Sequence, residues 1–63
     1  MKGYIKLSDQ EKEIFNKFKK NFLKVNDSEI KFISVVRKSN YLRVDFKING
    51  NMEWLHVTPY SWY

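Results

Sequence analysis

"YLRVDFKINGNMEWLHVT", residues 41–58, decides how this chain folds. Leu42, Val44, Phe46 and Ile48 alternate with Tyr41, Arg43, Asp45 and Lys47. Successive side chains of a strand point to opposite faces, so this is the pattern of a strand buried on one side. Asn49-Gly50 follows, the dipeptide best suited to the positive φ angles of a tight hairpin. "MEWLHVT", residues 52–58, then returns as the next strand. A two-residue turn sets Leu55 beside Val44 and Val57 beside Leu42, in the core. Trp54 and His56 then share the other face with Tyr41, Arg43 and Lys47. A three-residue loop would exchange the two faces. The Asn-Gly signal favours the two-residue turn.

Upstream, "EIKFISVV", residues 29–36, reads as the first strand, joined to the second through Lys38, Ser39 and Asn40. It is apolar on both faces under strict alternation: Ile30, Phe32 and Val36 on one, Ile33 and Val35 on the other. A strand of that kind is expected to be covered on both sides.

"LSDQEKEIFNKFKKNFLKVND" carries the signature of a helix. Ser8 with Glu11 three residues later forms a capping box. Acidic residues crowd the start, and Lys19, Lys20 and Lys24 crowd the end, as the helix dipole favours. Ile14, Phe15, Phe18, Phe22 and Val25 fall on one arc, expected to face the sheet. Lys17, Lys20 and Lys24 form a stripe on the opposite side, and Asn26-Asp27-Ser28 ends the helix. The expected fold is therefore α+β. One N-terminal amphipathic helix packs on a three-stranded antiparallel β-meander, and "GYIKL", residues 3–7, is a weaker candidate for a short extra N-terminal edge strand. Residues 1–63 read as one small domain.

Composition narrows the function classes. The chain has no Cys, two Gly and one His. That leaves no disulfide, no thiolate metal site, no Cys nucleophile and no phosphate-cradling glycine loop. Ser34, Asp45 and His56 could line up across the open sheet face, but Asp45 would lie in the middle, where a triad needs the imidazole. The expectation is a protein without catalysis and without a cofactor or metal. No apolar run is long enough for a signal peptide or a membrane span, so no membrane partner and a cytoplasmic location are expected.

Twelve Lys and Arg stand against seven Asp and Glu, a formal charge of +5. Residues 1–24 hold seven Lys against three acids. Ten of the twelve bases are Lys, which attracts anions diffusely rather than by forked recognition. Aromatics interleaved with bases suit single-stranded nucleic acid. The expected partner is therefore nucleic acid, single-stranded by preference, bound through Lys17, Lys20, Lys24, Tyr41, Arg43, Lys47, Trp54, His56 and the tail residue Trp62. The competing reading is a small inhibitor or regulatory adaptor, of a phage- or plasmid-borne kind, docking on an acidic protein surface. A homodimer that buries the second sheet face is a third.

The chain ends "PYSWY", residues 59–63. Pro59 must end the third strand, because it cannot donate in a ladder. The aromatic tail is expected to fold back over the far sheet face or its edge, covering the first strand, rather than to reach for a partner.

Overall fold

The chain forms a 3-10 turn (Tyr4–Lys6), helix α1 (Asp9–Val25) and strands β1 (Ile30–Arg37), β2 (Leu42–Ile48) and β3 (Asn51–Val57). The computed structural model describes residues 1–63. The strands form one antiparallel sheet in the order β1-β2-β3, with α1 on one face. This is the α+β arrangement read from the sequence. Asn49 (φ 52°) and Gly50 (φ 84°) both take positive φ, as a two-residue type I′ turn requires. Leu42 consequently pairs with Val57 and Val44 with Leu55.

The helix starts where its capping box dictates. The Glu11 backbone N–H donates to Ser8 Oγ (3.1 Å), and the Ser8 N–H donates to Glu11 Oε1 (2.8 Å). At the other end Asn26 Nδ2 donates to the Phe22 carbonyl (2.9 Å), satisfying a carbonyl of the last turn. Phe15, Phe18 and Phe22 are buried, and Ile14 packs against the same core. Val25 departs from the expected arc. It is 68% exposed, because the final helical residue lies beyond the aromatic core that Phe22 reaches.

Strand β1 is not apolar on both faces. Phe32 pairs with Phe46, yet the next paired residue is Ser34, opposite Asp45. Ile33 has no partner and forms a β-bulge, which shifts the alternation by one residue. Ile30, Phe32 and Val35 therefore all face α1, while Val36 turns outward and is 44% exposed. The bulge removes the need for a second covering layer.

"GYIKL" is not an edge strand. Lys2 alone bridges β1, in parallel: its N–H donates to the Ile33 carbonyl (3.0 Å), and its carbonyl accepts from the Val35 N–H (2.9 Å). Gly3 (φ 90°) then turns the chain away so tightly that a Cβ would stand 2.1 Å from the Val35 carbonyl oxygen. The turn also brings Leu7 into the core.

The core consists of Leu7, the three helical Phe, Val35, Leu42, Val44, Phe46 and Val57. Phe32 meets Phe15 and Phe18 edge-on, at ring centroids 5.8 and 6.0 Å apart. Phe22 meets Phe46 in the same way at 5.3 Å. Edge-to-face pairs at such distances add to area burial. No buried polar side chain lacks a hydrogen-bond partner.

One ion pair ties α1 to the end of β1. Arg37 grips both carboxylate oxygens of Glu11, with Nε donating to Oε2 at 2.6 Å. The Arg37 guanidinium, together with the Ser8 backbone N–H, holds the Glu11 carboxyl down from its ordinary 4.5 to about 2.

Two expectations follow for stability. Gly3→Ala should lower it by ~1–3 kcal/mol, since both the left-handed φ and the blocked approach to Val35 oppose a side chain; a thermal melt unchanged from wild type would refute the close approach. The lowered Glu11 pKa contributes stability that is complete above pH 4.5 and is lost as pH falls toward about 2. In urea titrations across that window, Glu11→Gln should remove part of the acid sensitivity and start from a lower midpoint at neutral pH. Parallel curves for the two proteins would contradict the assignment.

Candidate nucleic-acid interface on the open sheet face

The sheet face turned away from α1 takes its residues from strand alternation. β2 contributes Arg43, Asp45 and Lys47, and β3 contributes Met52, Trp54 and His56. From β1 come Lys31 before the bulge and Ser34 and Val36 after it. Tyr41 enters from the loop before β2.

The aromatic groups on this face touch in series. His56 lies 4.4 Å from Tyr41 and 4.8 Å from Trp54, ring centroid to centroid. Tyr63 stacks on His56 at 4.6 Å, with the planes 8° apart. The Arg43 guanidinium sits over the Trp54 ring at 4.3 Å, within cation–π range. Arg43 is held there by Asp45 (3.1 Å), which in turn accepts from Ser34 Oγ (3.2 Å). Trp54 remains 43% exposed and Tyr63 66%. Lys31 and Lys47 lie directly opposite one another on this face, both exposed. Like charges in opposed positions of a sheet repel.

Ser34, Asp45 and His56 do not form a relay. Ser34 donates to the carboxylate directly, and His56 Nδ1 faces the Tyr63 carbonyl at 3.2 Å.

The tail reaches this face by an unexpected route. Thr58 to Ser61 make a tight turn: the Thr58 N–H donates to the Ser61 carbonyl (2.8 Å), and Thr58 Oγ1 accepts from the Ser61 N–H (3.0 Å). The last residues then pair antiparallel with the outer edge of β3. His56 and Tyr63 exchange two backbone hydrogen bonds (2.8 and 3.0 Å), and Trp62 bridges Val57. Alternation sends Trp62 to the helix side, where its ring meets Phe18 at 5.5 Å and Phe22 at 5.9 Å. It sends Tyr63 to the open face. The tail therefore covers the core at the β3 edge, not β1. Trp62, expected as a contact residue, is a rim residue of the core.

The sequence-expected site residues divide into three places. Tyr41, Arg43, Lys47, Trp54 and His56 share the open face. Lys17, Lys20 and Lys24 are exposed on the side of α1 turned away from Phe15, Phe18 and Phe22, a helix diameter of about 10–12 Å beyond the sheet. The stripe and the aromatic row are thus on opposite sides of the molecule. Sequence reasoning missed Tyr63 and Lys31. The available signal for Tyr63 was Thr58-Pro59-Tyr60-Ser61, with Pro at the second position of a turn, which returns the chain along β3.

No helix is long and apolar enough to cross a membrane, and no cluster of His, Asp or Glu could hold a metal ion. The chain matches no protein-family model, no curated protein and no solved structure.

The tail geometry separates its two aromatic residues by role. Trp62→Ala should cost about 2–3 kcal/mol, below the roughly 3–5 of a fully buried aromatic. Tyr63→Ala, which keeps the backbone bonds to His56, should cost less than about 1 kcal/mol, in the range of surface substitutions. Denaturation midpoints in the reverse order would contradict the placement of the tail.

Proposed function

We propose that the protein is a non-catalytic module that binds single-stranded nucleic acid across its open sheet face. The observation that carries this reading is the continuous row Arg43–Trp54–His56–Tyr63, with Tyr41 beside it. Stacking surfaces of this kind accept any unpaired base, because every base has a π-face. The Asp45 and Ser34 contacts fix Arg43 on Trp54 before any ligand arrives, which lowers the ordering cost of binding.

The phosphates would be met by Lys31 and Lys47. Their mutual repulsion is relieved by a polyanion, which gives binding an electrostatic gain beyond simple attraction. A net charge of +5 supports approach of the same ligand from a distance. A duplex hides its base faces, so single strands are the favoured form. Lys17, Lys20 and Lys24 lie too far around the molecule to touch a strand on this face, and the reading assigns them only to long-range attraction.

The test is a titration of fluorescein-labelled oligothymidine at several salt concentrations. Binding should weaken steeply with salt. The double variant Lys31→Gln/Lys47→Gln should reduce the slope of log affinity against log salt by about 1.4, two contacts at about 0.7 each for a single strand. Trp54→Ala should cost ~1–3 kcal/mol with little change in slope. The triple Lys→Gln variant of the helix stripe should leave the slope nearly unchanged. Absence of binding at low salt would overturn the proposal; a slope that falls only in the stripe variant would move the phosphate path to α1.

A further inference from the structure

We infer that Lys2 is a phosphate contact of the open face, and that the bound strand runs lengthwise along the sheet, its backbone over β1 and β2 and its bases over β3. This rests on the reading of the open face as a single-strand binding surface and adds to it a residue and a path.

The register sorts the open face into rows that cross the sheet. Lys31, Lys47 and Met52 form the first row, Ser34, Asp45 and Trp54 the second, and Val36, Arg43 and His56 the third. Successive rows are two residues apart on β2 and β3, or about 6.8 Å at 3.4 Å per residue. That is close to the separation of neighbouring phosphates in an extended single strand, so one nucleotide spans one row.

Lys2 joins the second row. It bridges Ser34 in parallel, its N–H donating to the Ile33 carbonyl and its carbonyl accepting from the Val35 N–H. Residues set side by side in a sheet point to the same face, and Ser34 points outward, where its hydroxyl reaches Asp45. The Lys2 side chain therefore stands on the open face just beyond β1, and it is exposed.

Charge and rings are segregated on this face. Arg43 is paired with Asp45, and the molecule's other ion pair joins Arg37 to Glu11. Lys2, Lys31 and Lys47 are thus the unpaired cations of the face, and all lie on its β1–β2 side. The side chains that can lie against a base, Met52, Trp54 and His56, are all on β3, with the Tyr41 ring leaning on His56. A strand laid across the sheet would set phosphates over rings and bases over lysines. One laid lengthwise brings each group to its own kind of partner. Lys2 matters most in the middle row, where Arg43 and Asp45 neutralise one another and no other cation meets a phosphate.

There is room for the phosphate. Gly3 turns the chain off β1 directly after Lys2. The edge then opens into a hollow of about 480 Å³ whose lining includes Lys2, Ser34, Val36, Lys6 and Arg37 and no acidic residue. A phosphate beside Lys2 sits at the mouth of this hollow.

The probes are fluorescein-labelled oligothymidine and an abasic oligomer of the same length, which keeps the phosphates and lacks the bases. Lys2→Gln leaves both backbone bonds to β1 in place, so its thermal melt should match wild type. With oligothymidine it should lower the slope of log affinity against log salt by about 0.7, one single-strand contact, and the triple variant Lys2→Gln/Lys31→Gln/Lys47→Gln by about 2.1. Lys2→Arg should restore the slope, and Lys20→Gln, on the far side of the helix, should leave it nearly unchanged. The abasic oligomer should show the same loss of slope with Lys2→Gln. In spectra of the 15N-labelled protein it should shift the amides of Lys2, Lys31 and Lys47 but not the Trp54 indole, which oligothymidine shifts as well. A wild-type slope in Lys2→Gln beside a reduced one in Lys31→Gln/Lys47→Gln would overturn the inference and leave the open-face reading standing. So would an equal loss in Lys20→Gln, or an abasic oligomer that shifts the Trp54 indole as strongly as the lysine amides. Absence of oligothymidine binding at low salt would overturn both.

Discussion

The unpaired residue Ile33 governs how β1 is shared between the two faces of the sheet. Without the bulge, Phe32 and Val35 would point in opposite directions, and one of them would leave the core. With it, Ile30, Phe32 and Val35 face α1 together. The same shift points Arg37 toward the helix, where it grips Glu11. It leaves Ser34 facing outward, where it supports Asp45 and through it Arg43. Core, helix clasp and open face therefore share one backbone irregularity. Lys2 holds it in place by bonding to the Ile33 carbonyl and the Val35 N–H, and Gly3 allows the chain to pass close to Val35.

A chain of 63 residues without cysteine must draw its stability from a few large side chains. Here these are aromatic rings in mutual contact from Tyr4 to Trp62. Closing that cluster at the β3 edge falls to the tail, so the C-terminal residues are structural on one side and exposed on the other. Backbone pairing with His56 fixes which is which. A strand two residues long suffices, because alternation sends Trp62 and Tyr63 to opposite faces.

The two cationic regions differ in their surroundings. On α1 the lysines stand on a solvated helical face. On the sheet, Arg43 lies over the exposed Trp54 ring and is held by a carboxylate, with Lys31 and Lys47 on the same face. Charge on a preorganised aromatic surface can select a flat anionic ligand, whereas a lysine stripe attracts polyanions without regard to shape. That contrast, more than the total charge, is why the open face is the better candidate for recognition.

The sequence by itself determined the helix, its capping box, the Asn49-Gly50 turn and the faces of β2 and β3. Each rests on local chemistry: a hydroxyl and a carboxylate three residues apart, two positive φ angles, and strict alternation. Five of the expected site residues came together for that reason, since the register carried Tyr41, Arg43, Lys47, Trp54 and His56 onto one face. Only the tertiary structure decided the bulge at Ile33, the 3-10 turn in place of an edge strand, and the path of the tail. No local signal marks Ile33, because every residue from Phe32 to Val36 except Ser34 is apolar and alternation can begin at any of them. The choice is made by the helix, whose three Phe require both Phe32 and Val35 opposite them. Trp62 and Tyr63 likewise look equivalent in sequence. They are distinguished only by the edge of β3, where pairing with Val57 and His56 sets one toward the core and the other toward solvent.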